Sequence, residues 1–174
     1  MKCTNQNLWR WLIMKVLSKP DAGWTDFCLG GQQYGLSYLT CVPLEWLDQA
    51  IHGLESMSPF VVHGFCELWR FLCFVSYWNC YIIYEDDERE NLVTEDTNWE
   101  FVHVNMLEFC KMLFIDISSE IESWCDWGPH FADPEEEVKQ VKNDMKAKIQ
   151  TRLNRLAVLI RESEEHFGEN RCFF

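Results

Sequence analysis

The sequence predicts a mainly α-helical single domain over residues 1–174, a bundle of about five helices with a small irregular or β portion near residues 24–42. Three observations carry that prediction. Apolar residues recur at spacings of three and four in several segments, as they do where a helix buries one face. Pro20 with Gly23, Pro43, and Gly128 with Pro129 and Pro134 punctuate those segments. At 174 residues and 48% hydrophobic content, the chain can bury one sizeable core and is short for two.

The elements follow in order. Thr4 and Asn5 can cap a first helix that runs to about Lys19, where Pro20, Asp21 and Gly23 end it. Leu8, Trp9, Trp11, Leu12, Ile13, Val16 and Leu17 leave it little polar face, so it is expected at the centre of the bundle. Between Trp24 and Val42, Gly30-Gly31, Gly35 and the alternation Tyr34, Leu36, Tyr38 suit a short strand or an irregular loop. Pro43 stands at a first-turn position of a second helix through Leu44, Leu47 and Ile51 to Leu54 or Glu55. Ser58 then caps a third, in which Cys66, Cys73 and Cys80 recur every seven residues and share one helical face. The end of that segment, CYIIY, also fits a strand through its β-branched and aromatic content. Thr94 or Asp96 starts a fourth helix that ends near Trp124. The last helix, 134–167, is long and amphipathic. Asp133 caps it, Pro134 and three glutamates occupy its first turn, and Val138, Val141, Met145, Ile149, Leu153, Leu156 and Ile160 form its stripe.

Charge narrows the functional classes. Residues 1–137 hold 23 acids and 7 bases, whereas residues 138–174 hold 5 acids and 8 bases, so the two parts should attract. A body this acidic repels a phosphate backbone, which argues against nucleic acid as a ligand. Nine cysteines without a CxxC pair, and an N-terminal apolar run broken by Arg10 and Lys15, read as a reduced, cytoplasmic protein without cofactor. Between Pro59 and Tyr84 only the 14 residues from Phe71 onward are free of charge, too few to span a bilayer, which needs about 20.

Few residues suggest chemistry. His63 and Cys66 stand three apart and could begin a zinc site with His103 or Cys110, but four converging ligands are required. The same His–Cys pair is the nearest approach to an activated thiol, in a setting so apolar that the thiol pKa should rise. Glu67 and Arg70 form an ion pair or an exposed helix face in that segment, and Gly30-Gly31 lacks the lysine of a phosphate loop. Near the end of the last helix, Arg161 and His166 in RESEEH resemble the Arg-x4-6-His motif of HEPN-type ribonucleases, an all-helical family that places the pair around a scissile phosphate. The resemblance covers six residues. Glu162 stands where that family carries Asn, Asp or His.

The densest signal is residues 85–100, EDDERENLVTEDTNWE, which carry −7 of the chain's net −13. Glu85, Asp86, Asp87, Glu88, Glu90, Glu95 and Asp96 supply charge, Tyr81, Tyr84 and Trp99 flank them, and Asp116, Glu120, Glu122 and Asp126 follow. Carboxylates steer and align a basic protein while aromatics anchor it. The expected function is therefore non-catalytic: neutralising a basic protein partner, in the manner of bacterial immunity proteins that inhibit nuclease toxins. Ribonuclease activity through Arg161 and His166 is the alternative.

Overall fold

The segment after Ser58, read from sequence as a third helix whose end CYIIY also fits a strand, forms three antiparallel strands, Phe60–Cys66, Trp69–Val75 and Cys80–Asp86. The computed structural model describes residues 15–31, 33–66, 69–86, 99–128 and 135–168, with only the backbone described for Trp69, Glu85, Asp86, Phe167 and Gly168. Over these residues the chain is an α+β fold of four helices and two antiparallel sheets, which corrects the expected five-helix bundle.

Strands β1 (Trp24–Phe27) and β2 (Tyr34–Ser37) form a hairpin around a short 3-10 turn, Leu29–Gly31, where Gly30 and Gly31 take positive φ. Helix α1 (Val42–Ser56) follows, with Pro43 in its first turn. The second sheet has the order β3 (Phe60–Cys66), β4 (Trp69–Val75), β5 (Cys80–Asp86), β6 (Trp99–Val102). Helices α2 (Met106–Ser119), α3 (Ile121–Trp124) and α4 (Glu135–Gly168) complete the chain.

The misreading of β3–β5 has a physical cause. A strand declares itself by alternating apolar and polar residues, and FVVHGFC, WRFLCFV and CYIIY are apolar on both sides. Strand geometry also undoes the cysteine face. Cys66 ends β3, Cys73 lies within β4, and Cys80 opens β5. The fourth helix starts later than predicted because Trp99–Val102 pairs with β5. Its true start is a capping box: Asn105 accepts a hydrogen bond from the Glu108 N–H (2.9 Å), and Glu108 accepts one from the Asn105 N–H (3.1 Å). The first helix fails where it can be compared, since Lys15–Lys19 is not helical, and residues 1–14 lie outside the described residues.

The core lies on one face of the large sheet. Register places Phe60, Val75, Cys80 and Val102 in one inward row, Val62, Cys73, Ile82 and Glu100 in the next, and Gly64, Phe71 and Tyr84 in a third. Helix α2 covers the first row, with Phe109 edge-on to Phe60 at 5.8 Å. The hairpin covers the third: Phe27 stacks on Phe71 at 4.6 Å, and Tyr34 lies 4.0 Å from Tyr84. Gly64 makes that approach possible, because a Cβ there would stand 1.8 Å from Leu36 Cδ2. The edge of β3 is protected by side chains: Trp46 Nε1–H donates to the His63 carbonyl (2.9 Å) and the Ser37 hydroxyl to the Phe65 carbonyl (3.1 Å).

Helix α4 packs on α1 and α2, on the side of those helices away from the sheet. Ile149, Leu153, Leu156 and Leu159 are buried, and Arg152 and Arg155 pair with Asp48 and Glu55 of α1. Its N-terminal turns stand further out, with Lys142 on Asp126 (2.7 Å) and Lys146 on Glu122. The attraction between an acidic body and a basic end thus takes the form of ion pairs along α4. A further anchor ties the start of the described chain to α2. Asp116 Oδ2 accepts hydrogen bonds from the N–H groups of Val16 (2.7 Å) and Leu17 (3.0 Å), fixing the segment that enters the hairpin.

Candidate protein-docking face

The face of the large sheet opposite the core is apolar and uncovered among the described residues. Because side chains alternate across a strand, each apolar strand that feeds the core also presents a second apolar set outward. Register aligns Val61, Phe74, Tyr81 and Phe101 in one row and His63, Leu72, Ile83 and Trp99 in the next. Four strands about 4.8 Å apart make each row roughly 14 Å wide. Phe74 is 42% exposed and Trp99 65%, whereas Phe71, three residues before Phe74 and on the inner face, is fully buried.

The aromatic side chains support one another. Tyr81 and Phe101 meet edge to face at 5.2 Å, and Phe101 meets His103 at 4.7 Å. At the β4–β5 turn, Ser76 bonds Asn79 through both backbone and hydroxyl, which holds the two strands together and leaves Trp78 72% exposed. Pro59, Phe74, Tyr81, Ile83 and Trp99 line an open depression of about 410 Å³ with apolar walls. A depression of this kind, rigid at its base and free of charge, accepts a bulky apolar side chain. At the rim, His63 faces Glu45 of α1 at 3.6 Å, and Arg70 stands opposite Glu85 in the strand register.

The residues expected at a partner contact are distributed unevenly. Trp99 is on this face. Tyr84 is on the inner face instead, half-buried against Tyr34, and burial first and the Tyr34 hydroxyl second push its own hydroxyl well above the ordinary phenol range. Glu85 and Asp86 end β5, with their side chains outside the described residues. Asp87, Glu88, Glu90, Glu95 and Asp96 also lie outside them, in the connection between β5 and β6. Glu120, Glu122 and Asp126 sit on and beside α3, where Lys19, Lys146 and Lys142 respectively pair with them. Asp116 is buried and bonded to backbone, its carboxyl raised by burial against the opposing pull of the Leu17 and Val16 N–H groups. Sequence reasoning missed Phe74, Trp78 and Phe101 as surface residues. Their signal was the period-two placement of large apolar groups, hidden by equally apolar alternate positions.

The candidates for chemistry are not brought together. His63 and Cys66, three apart in a strand, point to opposite faces. Among the described residues no three His, Cys, Asp or Glu side chains converge as metal ligands. Cys73 and Cys110 are fully buried, and burial pushes both thiols up, away from reactivity. Glu67 lies outside the described residues. Arg161 and His166 are exposed on α4, five positions and therefore about 140° apart around the helix, and the His166 ring bonds the Glu162 carbonyl (2.9 Å). No helix among the described residues is long and apolar enough to cross a membrane. Compared with protein-family models, curated proteins and solved structures, the chain matches none.

Proposed function

We propose that the chain is a non-catalytic binding protein that holds a basic protein partner on the outer face of its large sheet. The observation that carries this reading is the two-row apolar face around Phe74, Tyr81, Trp99 and Phe101, exposed and contiguous in sequence with residues 85–100, which carry −7 from the end of β5 to the start of β6. Large exposed apolar patches on a charged protein mark contact sites. In the proposed division of labour the aromatics provide anchors, and the carboxylates of residues 85–96 raise the encounter rate and fix orientation. A target that binds RNA or DNA presents the positive cleft such carboxylates fill, so an inhibitor of a nuclease toxin, an immunity protein, is the class that fits best.

The test is capture of partners by tagged protein from its native cytosol, with elution in rising salt. A basic protein should elute at high salt in equimolar amount, and a Phe74→Ser, Tyr81→Ser, Phe101→Ser variant of unchanged circular dichroism should fail to hold it. Neutralising Asp86, Asp87, Glu88 and Glu90 to Asn or Gln should slow association and flatten its salt dependence. RNA cleavage by the purified chain that disappears in Arg161→Ala and His166→Ala would replace this reading with the ribonuclease one.

A further inference from the structure

We propose that the outer face of the sheet has a resident occupant within the same chain, residues 1–14, which a partner must displace. The inference rests on the docking face described above and adds its regulation. Three observations carry it.

The first is composition. Leu8, Trp9, Trp11, Leu12, Ile13 and Met14 put six apolar side chains into seven residues, broken only by Arg10. These include two indoles and several aliphatic groups of a size suited to the depression between Pro59, Phe74, Tyr81, Ile83 and Trp99. The second is charge. Residues 1–15 carry Lys2, Arg10 and Lys15 and no acid, in a chain that is otherwise strongly acidic and most acidic at residues 85–100. The segment is thus a basic, aromatic peptide, the chemistry the face is proposed to bind in trans. A second copy of the chain is the poorer occupant, because each copy brings a net charge of −13.

The third is reach. Asp116 pins Val16 and Leu17, and the Cys28 N–H bonds the Val16 carbonyl (2.9 Å), so Lys15 emerges beside the start of the Leu29–Gly31 turn. That turn lies against the inner side of β6, an edge strand of the sheet, so the outer face is reached by passing round that edge: a Cβ on Gly30 would stand 2.8 Å from both Val102 Cγ2 and Glu100 Oε1. Fourteen residues span at most about 50 Å when extended, against the roughly 14 Å width of the four strands. The chain therefore enters the structure at the sheet edge nearest to Trp99 and Phe101, with length to spare for crossing it.

The experiment uses the full chain with a photo-crosslinking benzophenone amino acid at Tyr81, in an equal mixture of light and heavy-isotope protein, read by mass spectrometry without any partner present. Crosslinks to residues 1–14 within one chain are expected. Mixed light–heavy crosslinks would assign the face to a second copy and overturn the proposal, as would crosslinks that avoid residues 1–14. A second readout is binding of the dye ANS, which should rise several-fold in Trp9→Ser, Leu12→Ser at unchanged secondary structure; no rise would also overturn it. Neither readout needs the partner. Failure here leaves the partner-docking reading standing, and failure of the pull-down leaves the crosslink result intact.

Discussion

The two faces of one four-stranded sheet are built from the same residue types and have opposite fates. The inner face carries Phe60, Val62, Phe71, Cys73, Val75, Cys80 and Ile82, and all seven are buried beneath α2, α1 and the β1–β2 hairpin. The outer face carries Val61, Leu72, Phe74, Tyr81, Ile83, Trp99 and Phe101, of which Phe74, Tyr81, Trp99 and Phe101 are exposed. Hydrophobicity therefore does not mark the core in this chain. What marks it is which side the helices and hairpin take, and the second apolar side is left for something else to cover.

Single substitutions can break this contrast or sharpen it. The largest effect is expected at Phe71→Ala, which removes the ring stacked on Phe27 and should cost about 3–5 kcal/mol in urea unfolding. The same truncation at Phe74, three residues along the same strand on the outer face, should cost less than about 1 kcal/mol; equal losses would refute the two-face description. Asp116→Ala should follow at about 2–4 kcal/mol, since it strands the buried N–H groups of Val16 and Leu17. Asp116 also predicts a pH trend. Its folded-state pKa is raised, so the folded chain holds its proton more tightly, and this group's contribution to stability falls as pH rises from the ordinary value of 3.8 through the higher folded value. Asp116→Asn should remove that part of the pH dependence of the unfolding midpoint.

Next comes Gly64→Ala, expected to cost about 1–3 kcal/mol because the new Cβ meets Leu36 and Phe71. Gly31→Ala offers a control without that contact, since nothing lies within 4 Å of its Cβ, although its φ of +87° still carries strain. Smallest of all is Lys142→Ala on α4, whose pairing with Asp126 is solvent-screened and whose loss should be indistinguishable from wild type in a thermal melt.

Parts of this architecture were legible before any coordinates. Pro43 at the start of α1, the three glutamates in the first turn of α4 and the stripe Ile149, Leu153, Leu156 are local signals, and local chemistry sets them. The Asn105–Glu108 capping box is an equally local signal, although Thr94 and Asp96 offer competing caps upstream. The docking face was legible only in part: Trp99 and Tyr81 were picked out as flanking aromatics, while Tyr84 turned inward and Phe74 and Phe101 were assigned to helices. A one-residue difference in strand position moves a side chain to the other face, so Ile83 and Tyr84 differ in fate through register alone.

From its residues this chain determined an acidic, aromatic-rich protein whose residues 138–174 carry an excess of bases, together with the caps and stripes of its helices. Those properties depend on neighbours within about four positions, or on composition. The tertiary structure alone decided that Phe60–Cys66 and Trp69–Val75 are strands, that Glu122 and Asp126 turn toward lysines of α4, and which apolar face is buried. These outcomes depend on partners about 16 to 100 residues distant, such as Trp46 on His63 or Asp116 on Val16. An apolar residue records only that it prefers to leave water; where it goes is set by the surface that arrives to cover it.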